Sequence, residues 1–232
     1  MNLLALKSTL RMAATRFRDA LGPSRFARKR DTGTAMPHSL VLTQPFMPSP
    51  TLEAKKHNLR EAARLINRDT VMPDETFSFW RIVGNPNDPS RFMEGRSIRA
   101  GVATTDRGGG LCQISGIIHH AALLAGWKVT ERHNHSVDLY TDETRFAPLG
   151  TDATVFYGFK DLRIVNDTPA PLKFHIDILP TELKLTITSS LPITTLPLDI
   201  SLETDPAGTK HVTVSRSGRV VSTSRYLPLP SR

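Results

Sequence analysis

The chain has a single cysteine among its 232 residues, so no internal disulfide can form and bridges cannot report the compartment. Long apolar runs are missing too: no stretch of seven or more apolar residues follows the first charges, which excludes a conventional secretory signal and a membrane span there. Neither GxxxxGK[ST] nor GxGxxG occurs, so the usual phosphate-cradling loops are absent. CxxC and HExxH are lacking as well, and no internal repeat or low-complexity tract is evident. Ordinary proportions remain, 39% hydrophobic and 22% charged, enough for one medium domain with a substantial core.

The net charge of +8 becomes informative once it is located. Residues 1–30 hold eight basic residues against Asp19 alone, whereas the rest carries 22 basic and 21 acidic residues. The body is nearly neutral, which argues against a folded nucleic-acid-binding face. From Met1 to Leu21 the residues Leu3, Leu6, Leu10, Ala13, Ala14, Phe17 and Leu21 fall on one helical stripe. A basic amphipathic helix of this kind can lie on an anionic membrane surface, or pack on the domain. The expectation is a cytoplasmic chain with peripheral membrane contact through residues 1–21. Arg25–Arg30 reads as a solvated linker.

The centre of the chain is Gly108-Gly109-Gly110-Leu111-Cys112-Gln113-Ile114-Ser115. Three glycines deliver the cysteine to a segment whose apolar residues, Ile114, Ile117, Ile118, Ala121, Leu124 and Ala125, recur at helical spacing, with Gly126 as the stop. A thiol in a first helical turn sits among unpaired N–H groups at the positive end of the dipole. That setting favours the reactive thiolate. A lone cysteine is otherwise most often a small buried hydrophobe.

Arg132-His133-Asn134-His135-Ser136 follows. If extended, it projects His133 and His135 from one face. A cysteine nucleophile needs such an imidazole, and a third group to orient it. Asp152, at the head of the next segment, can serve. The catalytic set is thus Cys112, His135 (or His133) and Asp152, with Gly110, Gln113, Ser115 and Arg132 as oxyanion or substrate-binding residues. His119 and His120 are set aside, because His119 lies two turns along the helix from Cys112. Cys112, His133, His135 and Asp152 could equally ligate zinc; sequence does not separate the two, and the set carries no metal or cofactor assignment.

Around this core, Ser39–Thr43 reads as a strand and Thr51 as the N-cap of a helix to Asn67. Phe77–Trp80, Ser97–Thr104, Trp127–Glu131 and His133–Tyr140 read as extended, and Asp152–Phe159 with Leu162–Val165 as a hairpin, with a loop over Asp142–Leu149. Leu172–Ile178, Leu183–Thr188, Leu198–Glu203, His211–Ser215 and Val220–Ser224 read likewise. The fold class is α+β: a central helix with cysteine at its N-terminus on an antiparallel sheet, a β-rich C-terminal section and an amphipathic N-terminal helix. The divisions are a leader over 1–30, a domain over 31–180 and an extension over 181–232.

The order Cys, His, Asp, with Gly126-Trp127 at the helix-to-strand turn, resembles the transglutaminase-like and papain-like architecture. A closer resemblance rests on four motifs in order. They are Pro73-Asp74-Glu75-Thr76-Phe77-Ser78-Phe79-Trp80, the Gly108–Ser115 stretch, Glu131-Arg132-His133-Asn134-His135-Ser136, and Ala147-Pro148-Leu149-Gly150-Thr151-Asp152-Ala153-Thr154-Val155. Together they are similar to the VanW family, over roughly residues 38–180. That resemblance implies a bacterial origin and a link to the cell envelope and glycopeptide resistance. By association it implies a peptidoglycan precursor or stem peptide as partner. Three function classes follow: a cysteine-dependent amidase, peptidase or acyl transferase; a binding or zinc module; an accessory interaction protein.

Overall fold

A computed structural model describes residues 3–30, 33–99, 102–138, 140, 145 and 147–229. Helix α1 (Leu3–Leu21) is followed by the two-residue strands β1 (Arg25–Phe26) and β2 (Arg28–Lys29), then β3 (His38–Pro45) and α2 (Leu52–Ile66). Next come β4 (Asp69–Val71), β5 (Glu75–Ser78), the short α3 (Phe79–Val83), and the hairpin β6 (Glu94–Arg99) and β7 (Val102–Arg107). The central helix α4 (Cys112–Ala125) leads to β8 (Lys128–Glu131) and, after a long irregular stretch, to β9 (Arg163–Val165). The chain closes with β10 (Leu172–Ile178), β11 (Glu182–Ser189), β12 (Asp199–Thr204), β13 (Lys210–Arg216) and β14 (Arg219–Tyr226).

Two sheets carry the main core. One runs β2-β4-β10-β11-β3, antiparallel throughout; the other runs β1-β5-β9-β8, parallel only at β1–β5. In β11 the side chains alternate buried and half-buried, as a sheet with one packed face requires. Helix α4 is apolar nearly all round and buried from Gln113 to His119 and from Ala121 to Leu123, as a helix enclosed on most sides must be. Gly126 ends it in the left-handed conformation at φ 76°, and the Trp127 N–H returns to the Ala122 carbonyl at 2.9 Å. Glycine takes that backbone without penalty. The β12-β13-β14 sheet stands apart, with its own small core of Val212, Val214, Tyr226 and Leu123.

Several expectations are corrected. Arg25–Arg30 is not a solvated linker: β1 and β2 add an edge strand to each main sheet. Phe26 is buried between the guanidinium groups of Arg81 (4.0 Å) and Arg163 (5.5 Å), an arrangement that favours cation–π attraction. The strand at Phe77 stops at Ser78, whose hydroxyl caps α3 by accepting from the Arg81 N–H; Phe79 and Trp80 are helical. Ser97–Thr104 is a hairpin rather than one strand, and its turn residues Ala100 and Gly101 lie outside the described residues. Half of the Asp142–Leu149 loop (142–144 and 146), together with Met1, Asn2 and Leu139, also lies outside them. β11 lies inside the five-stranded sheet, between β10 and β3, and position 180 falls in the turn of the β10–β11 hairpin. Thr51 is the N-cap residue of α2, as expected, but its side chain makes no capping hydrogen bond. Finally, His133–Tyr140 and Asp152–Phe159 form no ladder, only isolated bridges at Val137–Leu227 and Phe156–Lys160.

Candidate active site

The glycine turn is shaped from below by α2. Asn58, fully buried, donates to the carbonyls of Met93 and Gly109, both at 3.0 Å, and accepts from the Met93 N–H at 2.8 Å. Gly108 and Gly110 take φ 77° and 96°, a region side-chain-bearing residues rarely occupy. A Cβ on Gly110 would come within 2.5 Å of Lys55 Cγ. These constraints bring Cys112 out as the first residue of α4, and the next three N–H groups, of Gln113, Ile114 and Ser115, are taken by the carbonyls of Gly110 (3.1 Å) and Leu111 (3.0 and 3.3 Å).

Cys112, Ser115 and His119 share the face of α4 that lies along residues 150–155. The carbonyls of that segment are taken by side chains instead of a neighbouring strand. Gly150 O accepts from Arg132 Nη2 (3.1 Å), and Thr151 O is bound by His119 Nδ1 (2.7 Å). Asp152 O accepts from Arg132 Nε (2.8 Å), Ala153 O from Ser115 Oγ (2.7 Å), and Val155 O from the Cys112 thiol (3.8 Å). An extended segment satisfied in this way needs no ladder, which is why an alternating pattern here does not become a strand.

Asp152 is the hub. Its Oδ2 accepts from the His135 backbone N–H at 2.8 Å and from His135 Nδ1 at 2.6 Å. Its Oδ1 accepts from Arg132 Nη2 at 3.0 Å and from the Tyr226 hydroxyl. Tyr226 in turn accepts from the Gly150 N–H at 3.1 Å. Arg132 also donates through Nη1 to Ser224 Oγ at 2.7 Å and to Thr223 O at 3.2 Å. The last strand of the chain therefore reaches into the site.

The charges respond accordingly. Burial pushes the Asp152 carboxyl up, but the hydrogen bond and charge of His135, with Arg132 and Tyr226, hold it far below the usual carboxylate range. Burial pushes the His135 imidazole down, yet Asp152 and Cys112 raise it to about 10. Burial likewise pushes the Cys112 thiol up, while the hydrogen bond and charge of His135, with Thr154 and Val155, bring it down to about 7. Thr154 Oγ1 sits 3.5 Å from the half-buried Sγ. With Nδ1 committed to Asp152, Nε2 is the ring nitrogen left for the thiol. The two shifts run in the directions that favour a thiolate beside an imidazolium, with a carboxylate behind the ring.

The other sequence candidates have different placements. His133 turns to Glu131, 3.2 Å from its Nε2, and is 37% exposed. Ser115 is fully buried and ties α4 to Ala153. The amide nitrogen of Gln113 donates to Pro45 O at 3.2 Å, away from the thiol, and its Oε1 is buried without a partner. Arg132 binds Asp152 and the backbone around it. Gly110 O accepts the Gln113 N–H at 3.1 Å, which starts the helix. Among the described residues no group of three His, Cys, Asp or Glu is placed to hold a metal ion. Sequence reasoning missed Tyr226, Ser224 and Asn58. Tyr226 ends an alternating run, but no spacing rule joins position 226 to position 152.

Residues 54–188 match the family described as VanW like protein. The chain is 34% identical over 126 residues to the vancomycin B-type resistance protein VanW of Enterococcus faecalis, covering 54% of this chain and 46% of that one. It is 32% identical over 120 residues to the uncharacterized protein YoaR of Bacillus subtilis, covering 52% and 38%. Each alignment thus spans less than half of the relative. No solved structure matches the chain. The matched span contains Cys112, His135 and Asp152 but neither α1 nor Tyr226, and it takes in more than half of the sequence: the chain belongs to the VanW family.

Proposed function

We propose that this protein is a cysteine-dependent amidase, peptidase or acyl transferase. The observation that carries the reading is the relay in which Asp152 Oδ2 holds both the backbone N–H and Nδ1 of His135, while His135 lowers the Cys112 thiol. The Cys112 thiolate attacks the carbonyl carbon of an amide or ester, and the oxygen that gains charge faces the Cys112 N–H, because those of Gln113, Ile114 and Ser115 are taken by the Gly110 and Leu111 carbonyls. The carbon–nitrogen or carbon–oxygen bond breaks as the imidazolium of His135 gives its proton to the leaving group, which leaves a thioester on Cys112. Water then attacks with His135 taking its proton, and thiolate and acid are released. An amine attacking in place of water gives transfer. A peptidoglycan stem peptide or precursor is the substrate class we assign, by association with the named role of the Enterococcus relative in vancomycin resistance.

Alkylation of Cys112 by iodoacetamide across pH tests the first requirement. The rate rises with a midpoint near 7, and the midpoint moves upward in a His135→Ala variant. A wild-type midpoint at the ordinary ~8.5 sinks the reading.

A further inference from the structure

Amphipathic helices of soluble domains turn their apolar stripe toward the core. Helix α1 does the reverse. Its buried residues are Ser8 and Met12. Asp19, on the same side, accepts from Arg163 at 2.8 and 3.0 Å and from Arg81 at 3.4 Å. Ser8 packs so closely on Gly158 that a Cβ there would lie 2.3 Å from the Ser8 carbonyl oxygen. The helix is thereby fixed to the body by a mixed side, with Met12 in the main core and Ser8 and Asp19 on either side of it. The opposite face presents Leu3, Leu6, Leu10, Phe17 and Leu21, exposed by 79, 39, 61, 69 and 75%.

Cations border that face. At 100° per residue Lys7, Arg11 and Arg18 run along one flank and Arg16 along the other, all exposed. Beyond the C-terminal end, Arg25 and Arg28 line a cavity of about 490 Å³ beside Asp19 and Gly22. No helix among the described residues is long and apolar enough to cross a membrane. A row of large apolar side chains with long basic side chains beside it matches the boundary between acyl chains and anionic headgroups.

We propose that α1 is a membrane-docking face that lies flat on an anionic lipid bilayer, with Leu3, Leu6, Leu10, Phe17 and Leu21 in the acyl boundary and Lys7, Arg11 and Arg18 on the headgroups. Attachment through Met12, Ser8 and Asp19 means the helix meets the bilayer already formed and already oriented, so the domain is held at the surface in one pose. The matched family span begins after α1, so this face belongs to the chain independently of the Cys112 chemistry.

The test is co-sedimentation of the full chain with phosphatidylglycerol–phosphatidylcholine vesicles and with phosphatidylcholine vesicles. The expected result is binding to the anionic vesicles that weakens as salt rises, with at least tenfold weaker binding to the neutral ones. A Leu10→Ser/Phe17→Ser variant leaves the charge unchanged and loses at least tenfold in binding. A Lys7→Gln/Arg18→Gln variant loses the salt dependence. Circular dichroism and Cys112 alkylation verify that each variant is folded. Failure of the wild-type chain to bind anionic vesicles overturns the proposal, as does unchanged binding by the Leu10→Ser/Phe17→Ser variant. A vesicle-free dimer that this variant abolishes also overturns it, by assigning the face to a second copy. None of these outcomes bears on the thiol.

Discussion

At the scale of single residues, Asp152 determines what Cys112 can be. A carboxylate that accepts four hydrogen bonds is strongly favoured in its charged form, and that fixed charge holds His135 protonated beside the sulfur. Asp152→Asn keeps the shape and removes the charge. The Cys112 alkylation midpoint then rises toward the ordinary thiol value. The protein also loses about 3 kcal/mol in urea unfolding, because the Arg132 guanidinium is left buried without its counter-charge. Tyr226→Phe keeps the ring in its core and deletes one bond to a charged acceptor, worth about 2 kcal/mol. In that variant the thiol midpoint moves less than in Asp152→Asn, since Arg132 and His135 still hold the carboxylate.

At the scale of elements, the tail sheet and the site meet at Gly150. Its φ is 89°, and a Cβ there would lie 2.8 Å from both Val212 Cγ1 and Val214 Cγ2. Gly150→Ala therefore combines backbone strain with displacement of β13, and costs about 3 kcal/mol by thermal or urea unfolding. Gly218, at φ 73° with nothing near its Cβ position, supplies the comparison: Gly218→Ala costs only the strain, about 1 kcal/mol. Equal losses in the two variants would show that β13 does not press on the site. Helices α1, α2 and α4 and the strands from β10 to β14 were legible because local periodicity and turn residues decide them. The motif segments were half legible. Cys112, His135 and Asp152 could be picked by chemistry, but not the backbone that carries them. The carbonyls of 150–153 are bound by Arg132, His119 and Ser115, and long-range side-chain bonds leave no trace in a pattern of alternation. The solvated reading of Arg25–Arg30 failed for a related reason: Phe26 is one apolar residue among cations, and only its two guanidinium neighbours explain its burial.

For the whole molecule, pH acts through three groups in different windows. Burial holds His119 neutral, with its proton affinity lowered from 6.5 to about 4. The unfolded chain then binds the extra proton first, so stability present above pH 6.5 is lost as pH falls toward 4, by about 3 kcal/mol. His135 acts oppositely: raised to about 10, it contributes stability that is complete below 6.5 and drains as pH rises. Cys112, lowered from 9.0 to about 7, contributes stability that grows over the window where His135 loses it. Urea midpoints are thus expected to fall below pH 6.5, to stay nearly level from 7 to 9, and to fall again toward 10. In Cys112→Ser the level stretch becomes a decline. A wild-type protein as stable at pH 4 as at 6.5 would contradict the burial of His119.

The bond between Tyr226 and Asp152 spans 74 positions of the chain. A ribosome must therefore reach position 226 before the carboxylate gains its fourth donor. Until then Arg132 and His135 hold that carboxylate by themselves, and the lock supplied by β14 is the last part of the network that translation can deliver.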